Sequence, residues 1–325
     1  MSVSRRTLLA TAALCAPALR SAHAQASWPS RPIRLVSPYA AGGASDISLR
    51  VLAERFSGAL GQQCIVENKP GAGTRLANEM VARADPDGYT VLYAAAPFAL
   101  AEALYSPLRY DPRKDLLPVA MTVLAPLFLV VNADNPARTA AEFVAFAKSK
   151  PDGVTFGSPG PGSQPHLAGE LLFKDAGIKG LTVQFRGDAP AYSELLGGRI
   201  DATITAITSA LQLIEAGKLR VLGVASAERS PLFPAAPALR EQGLSRVVAA
   251  GWYGFMAPAG TPAAIRARLE AETLRALEES AVKQRFATLG LEARGASAAD
   301  FGRFIEEETT RWSGIIKDTG ITVTQ

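Results

Sequence analysis

The chain has 325 residues, of which 48% are hydrophobic and 20% are charged. This balance is typical of a globular protein, and the length is sufficient for two domains. The formal net charge is +4, but most of this excess lies near the N-terminus, so the charge gives no case for a protein that binds nucleic acid.

The first 24 residues have the three parts of a secretory signal peptide. Arg5 and Arg6 give it a positive start, residues 7–19 are mainly apolar, and Ala22-His23-Ala24 fits an A-x-A cleavage site. The apolar part is too short to span a bilayer. The paired arginines favour twin-arginine export, with the general secretory route as the alternative. We expect cleavage after Ala24 and a soluble protein in the periplasm.

Cleavage at this site changes the charge and the inventory of reactive side chains. It removes Arg5, Arg6 and Arg20 and leaves 31 basic against 30 acidic residues, so we expect no nucleic-acid partner. Cys64 and His166 are then the only residues of their types. A single cysteine excludes an intramolecular disulfide, and one cysteine with one histidine supplies too few ligands for a transition-metal centre. We expect Cys64 to be a buried apolar residue and the protein to use no metal or cofactor.

Short apolar segments alternate with helical ones along the remaining chain. Apolar and β-branched patterns predict nine strands, at residues 33–36, 64–67, 90–93, 127–131, 154–157, 181–185, 202–207, 221–225 and 252–256. A helix is predicted over residues 47–60, and Thr139 with Glu142 forms a capping box before another. Thr261-Pro262 is predicted to cap and start a helix over 263–277, and Ser297 one over 298–318 that Gly320 closes.

This alternation predicts an α/β fold with mainly parallel sheets. Two apolar segments, 125–131 and 252–258, are expected to pass between two lobes. Lobe 1 would comprise residues 25–126 and 252–325, and lobe 2 residues 127–251. The ligand cleft would then lie between the lobes.

Two glycine-containing loops each join a predicted strand to a predicted helix. The first is PYAAGGASD at residues 38–46, and the second is GSPGPGSQPH at residues 157–166. Free N–H groups at the start of a helix and the positive end of its dipole attract anions, and glycine permits close approach. Two such loops suggest two walls of one cleft. Tight turns and ordinary helix caps remain the alternative interpretation.

Seven motifs in order resemble the Bug-type periplasmic solute receptors of tripartite tricarboxylate transporters. They are WPSRPIRLV at 28–36, the first loop at 38–46, VENKPGAG at 66–73, DPDGYT at 85–90, the second loop with Leu167, LLGGRID at 195–201 and APAGTP at 257–262. The resemblance implies a two-lobe type II periplasmic binding fold that closes around a small carboxylate. It also implies that backbone N–H groups, hydroxyls and waters hold the carboxylate.

The resemblance places candidate ligand-binding residues in both loops. The first wall would be formed by Tyr39, Ala40, Gly42, Gly43, Ala44 and Asp46, and the second by Ser158, Gly162, Ser163 and His166. Asp46 is expected to orient a water or to cap the helix, because like charges repel. Arg186 would meet a second carboxylate if it faces inward. Ala41 replaces a common proline of the family, and Phe185 replaces a tyrosine.

We therefore expect a monomeric receptor that captures a small carboxylate, an organic acid or an acidic amino acid, and meets integral membrane permease subunits transiently. A ligand-sensing protein that acts through a sensor partner is the alternative. A hydrolase built on Ser163 and His166 is a weaker alternative, because the chain lacks a G-x-S-x-G elbow. We expect no enzyme activity.

Overall fold

The structure is a computed structural model that describes residues 28–185, 187–207, 210–320 and 322. The predicted signal peptide and the predicted ligand contact Arg186 lie outside these residues. None of the helices in the described ranges combines the length and the apolar character that a bilayer-spanning segment needs.

Strands and helices alternate through most of the described chain. The strands are β1 (Ile33–Ser37), β2 (Cys64–Asn68), β3 (Thr90–Ala95), β4 (Leu116–Asn132), β5 (Val154–Ser158), β6 (Gly180–Gln184), β7 (Ala202–Ala206), β8 (Leu219–Val224), β9 (Ala250–Pro258) and β10 (Glu292–Ala296). The helices are α1 (Ala44–Leu60), α2 (Arg75–Ala82), α3 (Pro97–Leu104), α4 (Ala140–Ser149), α5 (Gln164–Ala176), α6 (Asp188–Leu196), α7 (Leu211–Glu215), α8 (Ala263–Glu278), α9 (Ser280–Thr288) and α10 (Ala298–Thr319).

The long strand β4 connects two halves of the sheet. The strand order is β2-β1-β3-β9-β4-β7-β5-β6, and β8 and β10 also pair with β4. Residues Leu116 to Pro126 of β4 pair with β9, whereas Leu127 to Val131 pair with β7. β4 therefore belongs to a first half with β1, β2 and β3 and to a second half with β5, β6 and β7. The residue limits that we predicted for the lobes stay a prediction.

The α/β class is confirmed, but the sheet is mixed rather than mainly parallel. β1 runs parallel to β2 and β3, and β5 runs parallel to β6 and β7. By contrast, β4 runs antiparallel to β7, β8, β9 and β10, and β3 runs antiparallel to β9. The reason is that β4 leads the chain from the first half into the second, and β9 leads it back in the opposite direction.

Buried side chains cover both faces of each half. The first half is covered on one side by α1, α8 and α9 and on the other by α2, α3 and α10. In the second half, α4 and α5 pack on one face and α6 on the other. Trp312 of α10 is fully buried and joins the core of the second half, as does Leu100 of α3. These two contacts connect the halves in addition to β4. 

Three predicted helix starts differ in their outcome. The Thr139 hydroxyl accepts a hydrogen bond from the Glu142 N–H at 3.1 Å, and Ser297 accepts from the Asp300 N–H at 3.2 Å. Both N-caps are confirmed, but the predicted capping box is only half formed, because the Glu142 carboxylate accepts from the Arg138 N–H at 2.6 Å and not from the Thr139 N–H. The prediction for Thr261 was wrong, because its hydroxyl donates to the Pro258 carbonyl at 2.7 Å and does not cap α8. Cys64 is buried as predicted, and burial raises the pKa of its thiol to about 11.

Candidate ligand-binding cleft

Both glycine loops lie at carboxyl ends of parallel strands. The first loop follows β1, which ends at Ser37, and the second follows β5, which ends at Ser158. The carboxyl edge of an open α/β sheet is the usual position of a ligand site. Each loop leads directly into a helix, α1 or α5, so that the first turn of the helix is part of the loop.

The first loop leaves four successive N–H groups available. Gly43 stands at the N-cap of α1 with no side-chain cap. Among the described residues, no group accepts from the N–H of Gly43, Ala44, Ser45 or Asp46. Residues 40–43 are exposed. An exposed helix start with unsatisfied N–H groups is a seat for an anion.

Asp46 stabilises the first loop, and its carboxylate is occupied by protein groups. Its buried carboxylate accepts from the Gly42 N–H at 2.9 Å and from the Asn68 amide at 3.0 Å, and Arg50 forms an ion pair with it at 2.9 Å. The Asn68 amide also donates to the Tyr39 carbonyl at 3.0 Å. Burial alone raises the pKa of Asp46, but the bonds from Arg50, Gly42 and Asn68 together hold it below its usual range.

The second loop has the same outline but uses most of its N–H groups internally. The Gly162 N–H donates to Nδ1 of His166 at 3.1 Å, and the Ser163 N–H donates to the Gly160 carbonyl at 3.3 Å. The Ser163 hydroxyl caps α5 by accepting from the His166 N–H at 3.3 Å. The Gly160 N–H donates to the Ser158 hydroxyl at 3.3 Å.

The two loops share one support. In each, a glycine with positive φ, Gly42 at 88° or Gly162 at 71°, donates its N–H to the side chain four residues later. That side chain is Asp46 in the first loop and His166 in the second. Both are buried, so each stabilises the turn from beneath. His166 lines a groove with Glu170 and Thr182 between α5 and β6.

The geometry of Ser163 and His166 does not fit a nucleophile and its base. The Ser163 hydroxyl donates to the Gly160 carbonyl at 2.7 Å, and Nδ1 of His166 is already occupied by the Gly162 N–H. The other ring nitrogen, Nε2, lies 3.8 Å from a Glu170 oxygen. Burial lowers the pKa of His166 below its usual range, and the nearby Glu170 offsets part of the effect. A neutral supporting imidazole is therefore the role that the contacts favour.

Gln164 is a polar group of the second loop that we did not predict. It is the first residue of α5 and is 3% exposed. Within the described ranges, neither its amide oxygen nor its amide nitrogen has a hydrogen-bond partner. Its backbone N–H has no acceptor there either. A buried amide without partners costs free energy unless a water or a ligand satisfies it.

Tyr105, at the end of α3, connects the second loop to the first half of the sheet. A Cβ atom at Gly162 would overlap the Tyr105 hydroxyl, and one at Gly73 would lie 2.8 Å from it. The Arg75 guanidinium lies 3.8 Å from the centre of the Tyr105 ring. Glycine at 73 and 162 is thus needed for the close approach of this phenol.

Tyr39 of the first loop and Tyr253 of β9 are two phenols with raised pKa values. Burial is the main cause that raises the pKa of both, and the negative charge of Asp188 adds to it in both. Tyr253 belongs to β9 and stacks on Tyr93 with 5.4 Å between the ring centres. The charge of Asp188, which begins α6 on the second half of the sheet, therefore acts on phenols of the first half.

Comparison with known proteins identifies the family. The model of the tripartite tricarboxylate transporter family receptors matches residues 48–321. The chain belongs to this family. The BugT protein of Bordetella pertussis is 35% identical over 314 residues, which are 96% of this chain and 95% of BugT.

Solved structures of similar proteins support the two-lobe fold. The periplasmic binding protein BugD has a TM-score of 0.82 and 32% identity, over 91% of this chain and 99% of BugD. MatC from Rhodopseudomonas palustris, solved with bound malate, has a TM-score of 0.79 and 32% identity, over 89% of this chain and 99% of MatC. The predicted resemblance is confirmed. The family and these neighbours are solute-binding proteins, so this receptor-family member is a binding protein rather than an enzyme.

Proposed function

We propose that this chain is a periplasmic receptor that captures a small carboxylate, an organic acid or an acidic amino acid, between its two glycine loops. It then delivers the ligand to integral membrane permease subunits of a tripartite transporter. The observation that carries the proposal is the row of N–H groups from Gly43 to Asp46, for which no described residue supplies an acceptor, beginning at the exposed Gly43 on the carboxyl edge of the sheet. Malate bound to MatC supports the ligand class.

The two walls contribute differently to this proposed site. The first loop offers the N–H groups, and the second offers the Gln164 N–H and its buried amide, which no described residue pairs. Asp46 and His166 act from beneath as positioning residues. Tyr39, Tyr105 and Tyr253 supply phenols around the space between the walls. Closure is favoured by the ligand because only the closed form presents both walls at once.

The periplasmic location rests on the predicted signal peptide and on the family. BugD is a periplasmic binding protein, and a receptor that feeds an inner-membrane permease must meet its ligand outside the cytoplasm. Expression with the natural N-terminus, followed by fractionation and N-terminal sequencing of the exported protein, tests both the location and cleavage after Ala24. A mature N-terminus elsewhere would refute the predicted site.

Isothermal titration calorimetry against a panel of carboxylic acids tests the binding function. The panel contains mono-, di- and tricarboxylates, acidic amino acids and aromatic acids, with the matching amides as uncharged controls. We expect at least one acid to bind and its amide to fail, because a neutral amide oxygen forms weaker hydrogen bonds than a carboxylate. Equal binding of acid and amide would contradict the anion seat.

A further inference from the structure

Asp188 is an acidic residue that the two-loop account does not use. It begins helix α6 and is half-buried. α6 follows β6, so Asp188 lies at the same carboxyl edge as the second glycine loop, which follows the neighbouring strand β5. This edge is where the second wall of the proposed cleft stands.

One oxygen of Asp188 is fixed by a short chain of hydroxyl groups. The Thr205 hydroxyl donates to Oδ1 of Asp188 at 3.0 Å, and the Tyr192 and Thr205 hydroxyl oxygens are 2.6 Å apart. Because Thr205 has one proton to give, Tyr192 is the donor in the second bond. Thr205 is fully buried. The chain therefore holds the carboxyl group in one orientation.

The second oxygen has no protein partner in the part of the chain that the structure describes. No donor reaches Oδ2, and no lysine, arginine or histidine pairs with the carboxylate. From the first half of the sheet, the phenols of Tyr39 and Tyr253 respond to its negative charge, which helps to raise the pKa of both. At the carboxyl edge of the second half, Asp188 is thus a half-buried carboxylate with one oxygen that no described residue pairs.

Closure of the cleft would remove water from this carboxylate. An ionised group that loses water without a partner costs free energy, whereas a hydrogen-bonded or oppositely charged partner offsets the cost. A second ligand carboxylate placed there would be repelled. A ligand ammonium or hydroxyl would instead donate to the free oxygen. Burial raises the pKa of Asp188, and the Thr205 bond offsets part of that rise.

We infer that Asp188 determines specificity by selecting carboxylates that also carry a hydrogen-bond donor, an ammonium or a hydroxyl group. This inference rests on the proposed function, because the two loops must first hold the ligand carboxylate. The negative charge of Asp188 at the first position of α6 also interacts favourably with the helix dipole and stabilises the helix. That role alone would affect stability and would not distinguish one ligand from another.

Three series of acids separate the two kinds of donor from the plain acid. They are succinate, L-malate and L-aspartate; glutarate, 2-hydroxyglutarate and L-glutamate; and propionate, lactate and alanine. Within each series the skeleton is constant, and only a hydrogen, a hydroxyl or an ammonium changes at C2. Calorimetry of the full mature chain gives a Kd for each. We expect a donor-bearing acid to bind at least about tenfold tighter than its plain counterpart.

The variant Asp188→Asn tests the residue itself. It preserves the shape and still accepts from Thr205, so we expect a melting temperature close to that of the unmodified protein. We expect the donor preference to fall about tenfold or more, and to fall further for the ammonium than for the hydroxyl ligand, because a charge pair is lost only with the ammonium. The matched control is Asp152→Asn, an exposed acid before β5 at the opposite edge of the sheet.

The outcomes separate this inference from the proposed function. If plain acids bind as well as donor-bearing ones, or if Asp188→Asn leaves the ratio of Kd values unchanged, the role of Asp188 is refuted and the receptor function stands. If no acid of any series or of the wider panel binds, both are refuted.

Discussion

The substitution Gly43→Val tests the first loop at the residue that begins the anion seat. Gly43 has φ −85° and ψ 172°, which is extended backbone that valine adopts readily. A Cβ atom there would meet nothing closer than the Ala40 carbonyl oxygen at 3.9 Å. The loop and helix α1 are therefore expected to keep their conformation. Gly42, with φ 88°, would not tolerate the same change.

The expected losses in stability and in affinity differ widely. An apolar residue at an N-cap costs about 1 kcal/mol, and a more restricted unfolded chain offsets about 0.4–1 kcal/mol, so the free energy of unfolding changes by about 1 kcal/mol or less. The valine methyl groups would cover the N–H groups of Gly43 and Ala44. A hydrogen bond to a charged acceptor contributes about 1.5–3 kcal/mol. Loss of two such bonds, about 3–6 kcal/mol, lowers affinity roughly 150-fold to 20,000-fold.

Calorimetry and thermal unfolding of the same preparations measure both quantities. Gly58→Val is the matched control, because Gly58 is exposed on the same helix with no atom within 4 Å of an added Cβ. It lies about 22 Å along the helix from Gly43. We expect normal affinity for this control. If Gly43→Val also bound the acid normally, the first loop would not be the seat, and the central argument would fail.

Substitutions at Gly162, Gln164 and His166 probe the second loop. Gly162→Ala should weaken binding measured by calorimetry, because the added Cβ would overlap the Tyr105 hydroxyl. Adding Tyr105→Phe to this variant should restore part of the affinity. No restoration would contradict the proposed contact. Gln164→Leu should lower the affinity for the acid at least about tenfold. The free energy of unfolding of the unliganded protein should stay unchanged or rise, because the buried amide has no partner among the described residues. A large loss of stability in denaturant titrations would show that the amide is structural. Burial lowers the pKa of His166, so the unfolded chain takes up a proton at this residue more readily than the folded one. The contribution of His166 to the free energy of unfolding should therefore be complete above about pH 6.5 and decrease as the pH falls below that value. Denaturant titrations at pH 5.5 and 7.5 should show a smaller pH effect for His166→Gln, and an equal effect would exclude this histidine as a cause.

Local patterns were sufficient to predict most of the elements. The apolar strands and the capped helices carry their signals within a few adjacent residues, as at Thr139 and Ser297. The first part of β4 was missed because Pro118 and Pro126 interrupt it, and the register of pairing shifts beside Pro118. β10 was missed because it is polar and contains Gly295. Its pairing with β4 makes it a strand, and that contact is distant in the sequence.

The site was predictable only where backbone geometry decides it. The turn from a strand through Gly42 and Gly43 into a helix predicted the first anion seat. The long-range interactions were not predictable, because Asp188 acts on the pKa of Tyr39, and Tyr105 approaches Gly162, across more than fifty residues of chain. Gln164 carried one usable signal, a long polar side chain at the start of the helix that follows the second loop.

A crystal structure of the mature protein with its bound acid would show where the ligand carboxylate lies. We expect one ligand carboxylate within hydrogen-bond distance of the N–H groups of Gly43 and Ala44, with Gln164 on the opposite side. A carboxylate held elsewhere, by an arginine or at the groove beside His166, would refute the anion seat at the first loop.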